Sequence, residues 1–64
     1  MQIKEIIPNL NQRVRYKDST SYTFTGGIVK KKENGEIYYL VELIDKNKNS
    51  LLIAGLEDIE CLDL

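Results

Sequence analysis

Glu36-Ile37-Tyr38-Tyr39-Leu40-Val41-Glu42-Leu43 reads as a β-strand. It is dense in aromatic and branched side chains, which suit a pleated surface and lose rotamer freedom in a helix. Successive side chains on a strand point to opposite faces. Ile37, Tyr39, Val41 and Leu43 therefore make one unbroken apolar face, and Tyr38, Leu40 and Glu42 a mixed one. The odd-numbered face is expected to line the core. Just upstream, Asn34-Gly35 is a hairpin signal, because both residues tolerate the positive φ of a type I′ turn. The partner strand reads as Gly27-Ile28-Val29-Lys30-Lys31-Lys32.

Further out, Gln12-Arg13-Val14-Arg15-Tyr16 alternates polar and apolar as a half-buried strand does. The hydroxyl-rich run over residues 17–25, closed by Gly26-Gly27, reads as a long, mostly extended loop. Beyond the central hairpin, residues 45–49 form a polar turn and Ser50-Leu51-Leu52-Ile53-Ala54 a fourth strand. Gly55-Leu56-Glu57-Asp58 suits one 3₁₀ turn before a last strand over residues 59–62. The opening segment, residues 1–11, has apolar Ile3, Ile6 and Ile7 ahead of Pro8 and reads as a short strand, or else as one helical turn, that packs on or pairs with the domain of residues 12–64. The expected fold class is all-β: a single five-stranded barrel, closed or nearly so, with a long first loop and one 3₁₀ turn before the last strand. Closure would remove the exposed edges of an open sheet.

Composition narrows the functions. The chain has 64 residues, nine Lys or Arg against ten Asp or Glu, no His, a net charge of −1, and 42% hydrophobic residues. That length gives one domain with a small core and little room for a multi-lobed active site. No apolar run approaches the roughly 18 residues of a membrane span, and no secretory leader is evident, so a cytoplasmic setting is expected. Cys61 stands alone, which excludes an internal disulfide and a Cys-rich zinc site; it reads as apolar filler. Without His, the commonest general base and transition-metal ligand are missing, and no metal or cofactor is expected. Charge is uneven: residues 1–32 hold seven basic and two acidic side chains, residues 33–64 two and eight. Strands from the two halves must pair, so the poles are expected to blur.

The order of elements resembles the SH3-like small β-barrels, which include Tudor and KOW modules. Arg13-Val14-Arg15-Tyr16, Gly26-Gly27-Ile28-Val29, Tyr39-Leu40-Val41-Glu42 and Leu56-Glu57-Asp58-Ile59 carry the resemblance, which covers residues 13–62. It implies a fold and almost nothing about activity. Within this group the type II dihydrofolate reductases are similar in the basic first strand, the Gly-Ile-Val strand, the Tyr-x-Val-Glu strand and the Leu-Glu-x-Ile close. In those enzymes a Val-Gln-Ile-Tyr segment lines a tetramer pore, its Gln and Tyr meeting cofactor and substrate. Here the stretch is Ser50-Leu51-Leu52-Ile53-Ala54, with apolar Leu52 and Ala54 at the matching positions, so no catalytic residue carries over.

Four sets of side chains remain as candidates. Arg13, Arg15, Lys30, Lys31 and Lys32, with Tyr16, Tyr22 and Phe24 as stacking faces, have the chemistry of a single-strand nucleic-acid groove; lysines at a hairpin edge equally serve to discourage sheet addition. Tyr22 and Phe24 flank the first loop, which in SH3-like modules often walls a peptide or methylated-lysine site, unless the small core needs those rings. Tyr38 and Leu40 should point outward, with either Leu51 and Ile53 or Leu52 and Ala54 beside them. A partner, a second copy, or the N-terminal segment through Ile3, Ile6, Ile7 and Leu10 would cover that surface. Glu57, Asp58, Glu60 and Asp63 form an acidic tail that reads as a solvated face or a contact for a basic partner. The expectation is a non-catalytic module acting through protein–protein interaction or self-association, with Tyr22, Phe24, Tyr38 and Leu40 as its contact residues. The alternative is nucleic-acid binding through the basic set, and the outlier an oligomeric reductase-like enzyme. A small Lys- and Ile-rich chain would also suit an accessory protein of a phage or mobile element.

Overall fold

Alternation of Thr with aromatic rings makes a strand where hydroxyls alone suggested a loop. In the computed structural model, which describes residues 1–62, Ser19–Lys31 is one 13-residue strand, β2, paired with β1 (Arg13–Tyr16). The expected long first loop is therefore absent. In its place Lys17 and Asp18 turn the chain in two residues, at φ 48° and 62°, the left-handed pair that a type I′ hairpin needs. Tyr22 and Phe24 fall on one face of β2 because the period is two, and the hydroxyls of Ser21 and Thr23 fall on the other.

The remaining strands lie close to expectation. They are β3 (Ile37–Asp45), β4 (Ser50–Gly55) and β5 (Ile59–Cys61), with a 3₁₀ turn at Leu56–Asp58 between the last two. All pairings are antiparallel and the order is β4-β3-β2-β1-β5. The β2–β3 connection differs in its turn type. Gly35 has φ 90°, but Asn34 is not left-handed; its side chain instead accepts the Glu36 N–H at 2.9 Å, and the Gly35 N–H donates to the Lys32 carbonyl. This is a three-residue loop of type I geometry closed by a left-handed Gly, the next commonest hairpin.

One extra residue, Thr25, interrupts the β2–β3 ladder between the pairs Phe24 with Leu43 and Gly26 with Glu42. The bulge reverses the facing of β2, so Phe24 and Gly27 both point inward. The Thr25 hydroxyl donates to the Glu42 carboxylate at 2.6 Å. All five strands feed one core of Val14, Phe24, Val41, Leu43, Ala54 and Ile59. The odd face of β3 is buried at Val41 and Leu43 as expected, but Ile37 is 55% exposed and Tyr39 only half-buried. There the hairpin runs past the core, and Val29, opposite Tyr39, is exposed too.

The sheet does not close into a barrel among the described residues: β4 and β5 are both edges. The 3₁₀ turn carries the chain from one to the other without a ladder, and the N-terminal ammonium donates to the Leu56 and Ile59 carbonyls there. The N-terminal segment is a 3₁₀ turn at Ile3–Glu5, not a strand. Ile6 lies against the inner face, where a Cβ on Gly27 would come within 3.1 Å of its Cγ2. Gly26, by contrast, has open space where a Cβ would sit. No helix among the described residues is long and apolar enough to cross a membrane.

Phe24→Ala should cost about 3–5 kcal/mol, comparable with the whole stability of roughly 3–10 kcal/mol for a chain this size; a urea titration that finds a loss below 1 kcal/mol contradicts the core described here. Gly26→Ala should be near neutral in the same assay, whereas Gly27→Val should lower the midpoint by displacing Ile6.

Candidate functional site

The bulge and the turn lengths decide which candidate side chains can meet. Tyr22 faces inward opposite Val14 and Asp45, half-buried, its ring edge-on to Tyr16 at 5.6 Å. Phe24 is fully buried, so it is a core residue and presents nothing to a partner. Tyr38 and Leu40 project from the opposite face of β3. The four expected contact residues therefore do not converge: two serve the interior, and two lie on the outer face.

That outer face is built in rows across the sheet. Ile28 sits opposite Leu40; Gly26, Glu42 and Ile53 make the next row; Thr23, Ile44 and Leu51 the third. On β4 the sequence leaves two phases open, and the structure chooses: Leu52 and Ala54 oppose Leu43 and Val41 inward, leaving Leu51 at 59% and Ile53 at 43% exposure outside. The choice is set by the β3–β4 turn. Asp45, buried, accepts the backbone N–H groups of Asn47 and Lys48 and pairs with Ser50, and this closing pair fixes every partner along β4. Tyr38 is 39% exposed, with the Lys32 ammonium 5.8 Å from its ring centre. The N-terminal segment does not cover these residues; Ile6 packs on the inner face, and Ile3 and Ile7 are exposed themselves.

The basic set divides. Arg13 lies opposite Thr23 and Arg15 opposite Glu60, both exposed on β1. Lys30 and Lys31 lie opposite Tyr38 and Ile37, on alternate faces of the hairpin, and Lys32 is ion-paired with Glu36 at 3.5 Å. Lys30 lies seven residue steps beyond Thr23, roughly 23 Å along the strand, so the arginines and lysines form two groups. Arg13 and Lys46 instead share a shallow depression of about 590 Å³ with the hydroxyls of Ser19, Thr20 and Ser21 and the carboxylate of Asp18.

Of the acidic tail, Glu57 and Asp58 are exposed on the 3₁₀ turn and Glu60 faces Arg15; Asp63 lies outside the described residues. Cys61 is half-buried opposite Val14 and hydrogen-bonds Glu5. The Gln2 N–H, donating to Glu5 at 2.7 Å, holds that carboxyl below its ordinary range, with the Cys61 contact and nearby positive charge acting in the same direction. Among the described residues no three His, Cys, Asp or Glu gather as metal ligands. Comparison with protein-family models, curated protein sequences and solved structures gives no match.

Two outcomes follow from these contacts. Thr25→Val leaves the half-buried Glu42 carboxylate short of a donor and should cost about 1–2 kcal/mol in a urea titration. Glu5, ionised more readily in the folded chain, stabilises it above the unfolded pKa, and that contribution disappears as pH falls through the lower folded value. Acid titration should therefore loosen the N-terminal turn first, seen in the amide signals of residues 2–6, and Glu5→Gln should remove that step.

Proposed function

We propose that this chain is an SH3-like module that acts by binding a protein, foreign or identical, and not by catalysis, in a cytoplasmic setting. The strand order, the bulged β2 shared by both halves of the sheet and the 3₁₀ turn before β5 support the kinship. One observation carries the binding reading: Leu51 and Ile53 stand exposed on an edge strand, continuous with Leu40, Ile44 and Tyr38 on the same face. A small domain gains nothing in its own stability from that surface, whereas a partner burying it gains about 25 cal/mol per Å². Nucleic-acid binding is the weaker reading, because the basic residues separate along β2 and the net charge is −1. A reductase-like activity has no support in the apolar β4, where that resemblance would need an amide and a phenol.

The double variant Leu51→Lys, Ile53→Lys tests this directly. It should keep the urea stability within about 1 kcal/mol, as exposed substitutions do, and lose the associations that the wild-type chain shows in affinity capture and light scattering. Equal association by both chains would discard the outer face as the contact surface. Retention of the wild-type chain on an oligonucleotide column, with log affinity falling linearly in log salt, would move the assignment to nucleic acid.

A further inference from the structure

We infer that the occupant of the β4 edge is a second copy of this chain, joined to the first by antiparallel pairing of the two β4 strands about a two-fold axis. The inference rests on the binding reading above and names the partner. The two sheet edges differ in what protects them. β5 is three residues long, and the N-terminal ammonium already occupies the Ile59 carbonyl. β4 runs for six residues, Ser-Leu-Leu-Ile-Ala-Gly, with no Pro and no charged side chain, and among the described residues only the β3 ladder hydrogen-bonds it. Short length, inward charge and Pro are the usual protections of an edge, and β4 has none of them.

Charge selects an identical partner. At the start of β4 the turn carries Lys46 and Lys48, both exposed; at its end the 3₁₀ turn carries Glu57 and Asp58, both exposed. None of these four side chains has an ion pair among the described residues. In an antiparallel pair the start of one strand lies beside the end of the other. Lys48 of each copy thus meets the Glu57 and Asp58 carboxylates of its mate, twice over, by symmetry, and Lys46, which lines the depression beside Arg13, adds positive charge at the same end. A parallel pairing would set like charges together at both ends. With the axis perpendicular to the sheet, Leu51 and Ile53 of both copies lie on one side and make a continuous apolar stripe. The contact is small compared with a standard interface of about 800 Å² per partner, so the dimer should be concentration-dependent.

The test is a charge exchange read by light scattering at low salt. The wild-type mass should rise from 7.4 kDa towards twice that value with concentration, and fall back as salt is added. Lys46→Glu with Lys48→Glu should be monomeric, and so should Glu57→Lys with Asp58→Lys, each with an unchanged circular dichroism spectrum. Mixing the two variants should restore a dimer, because each carries at both ends the sign the other lacks. A wild-type chain that stays monomeric at millimolar concentration, or a dimer indifferent to either exchange, would overturn the inference. If the monomeric chain still captures a protein that Leu51→Lys, Ile53→Lys loses, only the identity of the partner fails. If it captures none, the binding reading fails with it.

Discussion

Thr25, the extra residue in β2, lets one strand pair with two neighbours while keeping its inward side chains on a common face. A strand that kept a strict period of two from Ser19 to Lys31 would put Phe24 inside and Gly27 outside; with one residue inserted, Phe24 meets Leu43 and Gly27 meets Val41 on the same side. β2 can then serve two neighbours at once, β1 along its first half and β3 along nearly its whole length. Added local twist is the known consequence of such an insertion, and it lets a single layer curl until Ala54 on one edge strand and Ile59 on the other share a core. The Thr25 hydroxyl on Glu42 holds the extra residue in place from the outer side.

The inside of this curl is small, and that explains the role of the N-terminal segment. Among the described residues six are buried in the core, and Met1 and Ile6 pack against it from the N-terminal segment where no strand pairing closes the sheet. Gly27 makes room for Ile6 by having no side chain where the ladder would otherwise place one. The segment is thus part of the domain in packing, although it contributes no strand. Its apolar Ile3, Ile7 and Leu10 remain at the surface, since one 3₁₀ turn cannot direct all of them to one side.

Much of this was legible in the sequence, for physical reasons that also mark where legibility stopped. The β3 segment announced itself because aromatic and branched residues in period two have no comparable helical reading. The polar turns bounded β4, and the 3₁₀ connection followed from a segment too short for a helix. Residues 17–25 read as a loop because Ser and Thr favour turns locally, yet they form a strand because the rings two apart, Tyr22 and Phe24, carry the stronger tertiary signal. Spacing alone leaves those rings either on a binding wall or in the core; the structure buries Phe24 and packs Tyr22 half-buried against it. Neither the bulge nor the phase of β4 was legible, since Leu51 with Ile53 and Leu52 with Ala54 are nearly equivalent in hydrophobicity. Only the Asp45 turn distinguishes them, by fixing the register from one end. Closure was expected because edges are a liability, and the open sheet shows that liability left in place.

The charge asymmetry of the sequence ends at that same edge. Part of the polarity between the halves is offset on the sheet surface, where Arg15 lies opposite Glu60 and Lys32 is ion-paired with Glu36. What survives around β4 is a separation along the strand, basic at its start and acidic at its end, about 20 Å apart by the rise of six residues. Isolated exposed pairs of this kind are worth about 0–1 kcal/mol each, too little to create an interface. They are enough to choose its direction once backbone groups and apolar side chains supply the attraction, since the wrong orientation sets like charges together at both ends. Affinity and orientation at this edge thus come from different parts of the same short segment.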